Sequence, residues 1–576
     1  MKFFSSRLSR IIWLTILAGV IFSKFVWLDR FPAGMAHDEA IYLANGVSYM
    51  TNGSDLSGYS FPLSLFRTKT EGAISFVPTY IYGIYSLLTP LTPFSTRLLL
   101  TLVNLMTAYI LFLFTKKIFN NTKLATTSAL LFLINPWSYF LARWAVDTPW
   151  ALLFSLASFH FLIRAKTKSY FVLSSVFFIL AFFSYQGAKI ILLPFMLIIA
   201  VYKFKQDGQV AKKITVWSTL LVTMFVISYF AIDSMLPGDR LTGRKNDIVI
   251  FRQDDIAHTV DAIRRNSIEF PYSHILINKP SVMLETVAKK YFSVFSPEVL
   301  FFSGDTRATY RYEDHGLFFV IDSVFIFVGA FALFRKRRKI FYLLTSLLLV
   351  SPLTTALGAV DTSQVNRSFL ALPIMTMFVA YGINYAFGVK NRSFQKAAAV
   401  LIFLLYLISY VKFLHFYYFQ LPISQQENYF LTDKIISRYI DFTDPDRSIY
   451  VVTNTPRSSF CGYALYTNKL ENLASPDTAR DSFSLDSRVI FSANCPTFND
   501  SSTYIIIAGS DCHKDKKQDN AILDHKDAGT LYNIYNDATC NKNDAMYRRF
   551  HLLDDYDLDS LDKTRFCESW IHAPKI

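Results

Sequence analysis

A histidine and two carboxylates stand side by side at His37, Asp38 and Glu39, in the stretch RFPAGMAHDEAIYLANG that begins at Arg30. The stretch follows an apolar run, Ile11 to Leu28, of about the length that spans a bilayer. Adjacent carboxylates there could cap a helix, bind a cation, or take a proton from a hydroxyl at the lipid–water boundary. The next residues, EAIYLANGVSYM, have an amphipathic helical pattern, with Ala40, Leu43, Ala44 and Val47 on one face. Asp38 then sits at the helix N-terminus, where capping and dipole complementation compete with catalysis as its reason to be there.

Cationic side chains that could hold an anion recur in other non-apolar stretches. Arg67, Lys69 and Glu71 precede a Tyr-rich amphipathic segment in RTKTEGAISFVPTYIYGIYSLL; Lys69 either is solvated or grips a phosphate near the bilayer. In NPWSYFLARWAVDTPW, Arg143 and Asp147 are spaced as a helical ion pair. Their neighbours Trp137, Trp144 and Trp150 suit an interfacial aromatic belt. Lys189 falls in the short turn of FSYQGAKIILLP, where snorkelling is the default. Pro, Gly and several charges gather in FSPEVLFFSGDTRATYRYEDHGLFF, just before a span. Arg367 opens a span in AVDTSQVNRSFLALP on the side where basic residues are scarce, which makes it an anion-site candidate. There is no Walker A loop, GxGxxG, HExxH or GxSxG, so ATP, dinucleotide and protease chemistry lack a signature. Acidic residues inside the spans are scarce, Asp322 being the clearest. A proton-coupled transporter would more often carry several, and no inverted repeat is evident.

The elements that must position these residues are mostly membrane helices. Of 576 residues, 52% are hydrophobic and only 18% charged. Eleven apolar runs recur: Ile11–Leu28, Leu98–Phe114, Ala125–Ile134, Pro149–Ile163, Tyr170–Ser184, Ile190–Tyr202, Ile214–Ile232, Gly316–Phe334, Ile340–Leu357, Phe369–Phe387 and Ala397–Leu414. The first lacks a cleavage site and reads as an uncleaved helix. An odd number of spans puts the termini on opposite sides. The basic loops, among them MKFFSSRLSR, TKKIFNNTK, KFKQDGQVAKK and RKRRK, then fall on one side, the cytoplasm by the positive-inside rule. That sorting absorbs the net charge of +14, and no nucleic-acid partner is called for.

The long loops, Asp29 to about Arg97 and Asp233 to His315, lie on the other face with the C-terminal tail. In the tail, NYFLTDKIISRYI is helix-like, while RSIYVVTN, SRVIFSAN and TYIIIAGSD are short β-branched runs between polar turns. Residues 1–420 therefore read as a transmembrane domain and 421–576 as a small extracytoplasmic α/β domain. All five cysteines, Cys461, Cys495, Cys512, Cys540 and Cys567, lie in this tail. That suits an oxidising compartment, with two bridges and one thiol whose pairing sequence alone does not give.

Taken in order, these segments resemble the lipid-carrier-dependent glycosyltransferases of the GT-C class, similar to bacterial relatives of protein O-mannosyltransferases and the lipid A aminoarabinose transferase. HDEAIYLANG after the first span carries the resemblance. It is joined by PTYIYGIYSLLTPLTPFSTRLLLTLVN, LINPWSYFLARWAVDTPWALLF, the stretch from Phe295 to Phe319, and NRSFLALPIMTMFVAYGI. It covers roughly residues 1–420; the tail resembles extracytoplasmic domains appended to some members, and His-rich loops of eukaryotic protein mannosyltransferases have no counterpart. The resemblance implies about eleven transmembrane helices, interfacial helices in the first outside loop, and inverting transfer from a polyprenyl-phosphate sugar to a glycan, lipid or protein hydroxyl. Asp38 would be the base, and Glu39 would orient the acceptor or bind a divalent cation; no cofactor is otherwise implied. The donor phosphate needs cations, for which the candidates in falling order are Arg367, Lys69, Arg143 and Lys189. A transporter or flippase with an outside sensor domain is the competing class. No ER-retrieval tail is present, which favours a bacterial plasma (inner) membrane, with a cytoplasmic N-terminus and an extracytoplasmic C-terminal domain.

Overall fold

The computed structural model describes residues 7–65, 75–235, 253–268, 270–307, 311–312, 314–358, 363–388, 392–473, 482–540 and 552–574. Each apolar run falls on a helix, as long stretches of Leu, Ile and Phe in lipid require: only intrahelical bonds satisfy the backbone there. The first helix, Arg7–Ser23, stops short of Leu28. Among the described residues, Pro93–Phe119, Gln209–Met235, Arg338–Ala356 and Gln395–Ser424 are long and apolar enough to cross a membrane. The other runs lie on shorter helices, such as Lys168–Ser184 and Ala371–Ala386. The chain is thus a multi-pass helical membrane protein; the full count of eleven crossings stands as the sequence reading. Asparagines punctuate it: Asn121 accepts from the Lys123 and Leu124 N–H groups at the start of Thr122–Ile134, and Asn135 does the same for Pro136–Leu141.

The described chain folds as two compact units. One comprises Met1–Lys24, Leu100–Ala142 and Asp147–Phe413 and is helical. Its buried Asp322 carboxylate accepts from Tyr406 Oη at 2.5 Å and from the Phe319 N–H at 2.9 Å. Trp137 donates its ring N–H to the Val365 carbonyl at 3.0 Å. The aromatic-belt reading is corrected here, because Trp137, Trp144 and Trp150 are all buried in protein, at most 6% exposed. They are packing residues.

The other unit comprises Phe25–Leu99, Arg143–Val146 and Leu414–Ile576. It is wider than the tail marked out from residue 421, because the first long loop folds with the tail. The tail contributes a six-stranded sheet in the order β2-β3-β1-β4-β6-β5. The three β-branched runs become β1 (Ile449–Val452), β3 (Val489–Ser492) and β4 (Thr503–Ile507), with β1 parallel to both others. β2 (Ser482–Ser484), β5 (Asn520–Leu523) and β6 (Thr530–Tyr535) add antiparallel edges. The helix Pro456–Tyr466 comes after β1 and packs on β2 and β3. Disulfides join Cys495 to Cys512 and Cys540 to Cys567, and Cys461 is a buried free thiol.

Two helices come from the first loop, His37–Asn52 and Phe76–Ser86. They touch backbone to backbone at two glycines. A Cβ at Gly83 would lie 2.4 Å from the Gly46 carbonyl oxygen, and one at Gly46 would lie 2.8 Å from Gly83 N. Neither position has room for a side chain.

Candidate functional site

Asp38 lies in the first turn of the helix His37–Asn52 and is exposed. Its carboxylate has no hydrogen bond or ion pair among the described residues. The capping expected of it is done by its neighbour. Glu39 Oε2 accepts from the Ala36 N–H at 2.7 Å, and Glu39 Oε1 accepts from the Ala145 N–H at 2.7 Å. Glu39 is 2% exposed. Burial pushes its carboxyl up to about 7, against the pull of the nearby Arg97 guanidinium and the two N–H donors. Both oxygens of Glu39 thus hold main-chain N–H groups. Among the described residues, the His/Cys/Asp/Glu group close enough to share a metal is Cys495, Cys512 and His513, and those two sulfurs are joined in a disulfide.

The segment leading into this helix is gripped by two buried arginines. Arg97 donates to the carbonyls of Leu28 at 3.0 Å and Gly34 at 2.6 Å. Arg143 donates to the carbonyls of Phe31 at 3.0 Å and Val26 at 2.6 Å, and to Tyr418 Oη at 2.9 Å. Its guanidinium also faces the Tyr417 and Tyr418 rings. In the structure Arg143 acts as a scaffold cation, both terminal nitrogens donating to main chain and tyrosine. The helical pairing proposed for it fails, because the helix Pro136–Leu141 ends before it. Arg97 was not singled out by sequence as a site residue; a lone arginine at the start of the apolar run Leu98–Phe114 was the available signal.

On the other flank of Asp38, His37 Nε2 lies 2.8 Å from Asp433 Oδ2, and the His37 ring stacks on Phe430 with centroids 3.5 Å apart. Sequence gave no pointer to Asp433: it lies 396 positions away, in a helix that reads as part of the tail.

Lys189 and Arg367 belong to the helical unit. Lys189 does not snorkel. It is 7% exposed, with Nζ 2.6 Å from Tyr229 Oη and set over the rings of Phe182, Phe183 and Tyr229. The surrounding rings hold the ammonium in place by cation–π contact. Arg367 is half-buried at the end of the short helix Gln364–Arg367. Two of the charged segments noted in the sequence meet here. Asp305 accepts from Ser363 Oγ and the Val365 N–H, both at 2.7 Å, and from the Arg307 N–H at 2.9 Å. Gln364 accepts from the Thr306 N–H and hydroxyl. Burial pushes the Asp305 carboxyl up to about 6. Lys69 lies outside the described residues.

The fold has a counterpart among solved membrane-protein structures. It matches the crystal structure of ArnT from Cupriavidus metallidurans in the apo state, with a TM-score of 0.52 at 11% identity, over 92% of this chain and 98% of that one. Looser overlaps are with ArnT bound to undecaprenyl phosphate (TM-score 0.48, 10% identity, 93% of this chain and 99% of that one) and with the Archaeoglobus fulgidus oligosaccharyltransferase in the apo form (0.44, 11%, 79% and 64%). At such identities the likeness is one of fold. No protein-family profile matches the sequence, and no curated protein sequence does.

Proposed function

We propose that this chain is an inverting glycosyltransferase that moves a sugar from a polyprenyl-phosphate donor to an acceptor hydroxyl on the extracytoplasmic face, with Asp38 as general base. One observation carries the assignment. Asp38 is the exposed carboxylate of a triad whose other two members, His37 and Glu39, are both pinned by partners. Its helix start is thereby fixed while the carboxylate stays open to a substrate. The ArnT-like fold supports transferase chemistry, and the donor class rests on the sequence resemblance.

In the step proposed, the acceptor O–H gives its proton to the Asp38 carboxylate. The oxygen attacks the anomeric carbon, and the bond from that carbon to the phosphate oxygen breaks with its electron pair leaving on the polyprenyl phosphate. The leaving group is already an anion, so it needs cationic stabilisation and no proton. The sequence resemblance offers Arg367 first for that role, with Lys69 next. Glu39 holds the helix start.

Replacing Asp38 by Asn tests the base. Asn and Asp suit a helix start about equally, so the fold should persist. Transfer of labelled sugar from a synthetic polyprenyl-phosphate donor, in detergent, should fall about 10²–10⁴-fold with donor binding retained. Near-wild-type turnover would remove Asp38 from the mechanism.

A further inference from the structure

The stretch from Gly34 to His37 is met at three of its four residues by the tail. A Cβ at Gly34 would lie 2.2 Å from the Tyr429 carbonyl oxygen and 2.8 Å from Leu431 N, so the two backbones are in contact. The Met35 N–H donates to Tyr466 Oη at 2.8 Å. His37 pairs with Asp433 and stacks on Phe430. Phe430 has φ +48°, a left-handed conformation that a bulky side chain rarely adopts. It lies immediately before the helix Leu431–Phe442. The start of that helix is fixed from its own side: Thr432 donates its hydroxyl to Glu427, and Lys434 pairs with Asp559 at 3.1 Å. The helix His37–Asn52 also packs against Pro456–Tyr466, the helix that carries Tyr466.

A histidine one residue before an exposed carboxylate, with 13% of its side chain accessible and its ring nitrogen on a 7% accessible aspartate, is a built contact. We propose that His37 and Asp433 are positioning residues for Asp38: the tail α/β domain, through this pair, sets the angle at which the base meets the acceptor hydroxyl. The proposal rests on Asp38 being the base. His37 and Asp38 are consecutive on the helix and do not face one another. The pair therefore acts through backbone placement of the first turn and carries no proton. Misplacing a reacting group by about 1 Å can cost about 10²-fold in rate.

The test uses full-length protein in detergent and measures kcat and donor KM for transfer from a synthetic polyprenyl-phosphate sugar. Asp433→Ala and His37→Phe should each lower kcat about 10–100-fold, with donor KM within about threefold. His37→Phe keeps a ring to stack on Phe430 and loses only the N–H, so it keeps the question answerable if Asp433→Ala fails to fold. The double variant should be no slower than the slower single, as expected of two halves of one contact. Asp433→Asn, which keeps an acceptor for the His37 N–H, should recover most of the rate. Asp559→Asn, which disturbs the same helix from its other side, should stay near wild type. A merely structural contact would lower the yield of folded protein and leave kcat per folded molecule unchanged. Wild-type kcat in His37→Phe, or a multiplicative loss in the double variant, would overturn the proposal while slow turnover in Asp38→Asn left the base in place. Full activity in Asp38→Asn would overturn both readings.

Discussion

Replacing Glu39 by Gln exchanges one oxygen for an NH₂ group, and the partners of that side chain set the sign of the effect on stability. Both carboxylate oxygens accept main-chain N–H groups at 2.7 Å, from Ala36 and Ala145. A glutamine has one such oxygen, so one N–H must face an amide NH₂. A buried donor left without an acceptor costs about 1–3 kcal/mol. Against this stands the burial of the charge. The carboxyl is raised from 4.5 to about 7, which corresponds to about 3 kcal/mol. For an acid raised on folding, the folded state holds the proton more tightly. The stabilisation is fully present below about 4.5 and is lost as pH rises through about 7. Glutamine has no such dependence. The variant should therefore be less stable than wild type by about 1–3 kcal/mol at pH 5, and as stable or more so at pH 8. Thermal unfolding of both purified proteins in one detergent, at both pH values, measures the gap; other titrating groups cancel between them. Sugar transfer by the variant should stay within about tenfold of wild type, well above the loss expected for Asp38→Asn. A gap that widens from pH 5 to pH 8, or turnover as slow as that of Asp38→Asn, would refute the reasoning and return Glu39 to the chemistry.

Three further outcomes are expected. Gly83→Ala should destabilise the protein by about 1–3 kcal/mol in chemical or thermal unfolding despite the better helix propensity of Ala, because its Cβ would meet the Gly46 carbonyl oxygen at 2.4 Å. Arg367→Ala should weaken binding of a polyprenyl-phosphate donor as well as turnover, since a phosphate contact acts in both ground and transition states, and a titration calorimetry trace unchanged from wild type would count against it. Unreduced protein should yield a single thiol to alkylation, at Cys461, and only after denaturation, because that thiol is buried and pushed up to about 12; mass spectrometry of the labelled peptides checks this.

The features legible in advance were the local ones. Long apolar runs produce helices almost without regard to context, and the β-branched clusters at Ile449, Val489 and Thr503 were distinctive enough to become strands. β2 has only three residues, and β5 holds a single β-branched residue, so neither stands out. Asp38 and the helix after it could be read from charge and periodicity. The roles of its neighbours could not, because they depend on partners remote in sequence: Glu39 on Ala145, His37 on Asp433, Arg97 and Arg143 on carbonyls of residues 26–34. The surroundings of Arg143, Lys189 and the three tryptophans have one thing in common. A cation or indole near a span end gives no local sign of its partners, and each is folded inward against tyrosines, phenylalanines or main chain.

The 396-residue separation between His37 and Asp433 has a consequence for how the enzyme comes into being. A ribosome adding about 5–20 residues per second needs roughly 20–80 s to pass from one to the other. Throughout that interval the nascent chain carries its acidic pair without the tail segments that fix it. A chain terminated before the tail retains Asp38 but lacks Tyr429, Asp433 and Tyr466 to seat it. A truncated product inserted in the membrane thereby carries the Asp38 carboxylate without its seat, and the first turn of the helix reaches its final setting only once the tail has been made.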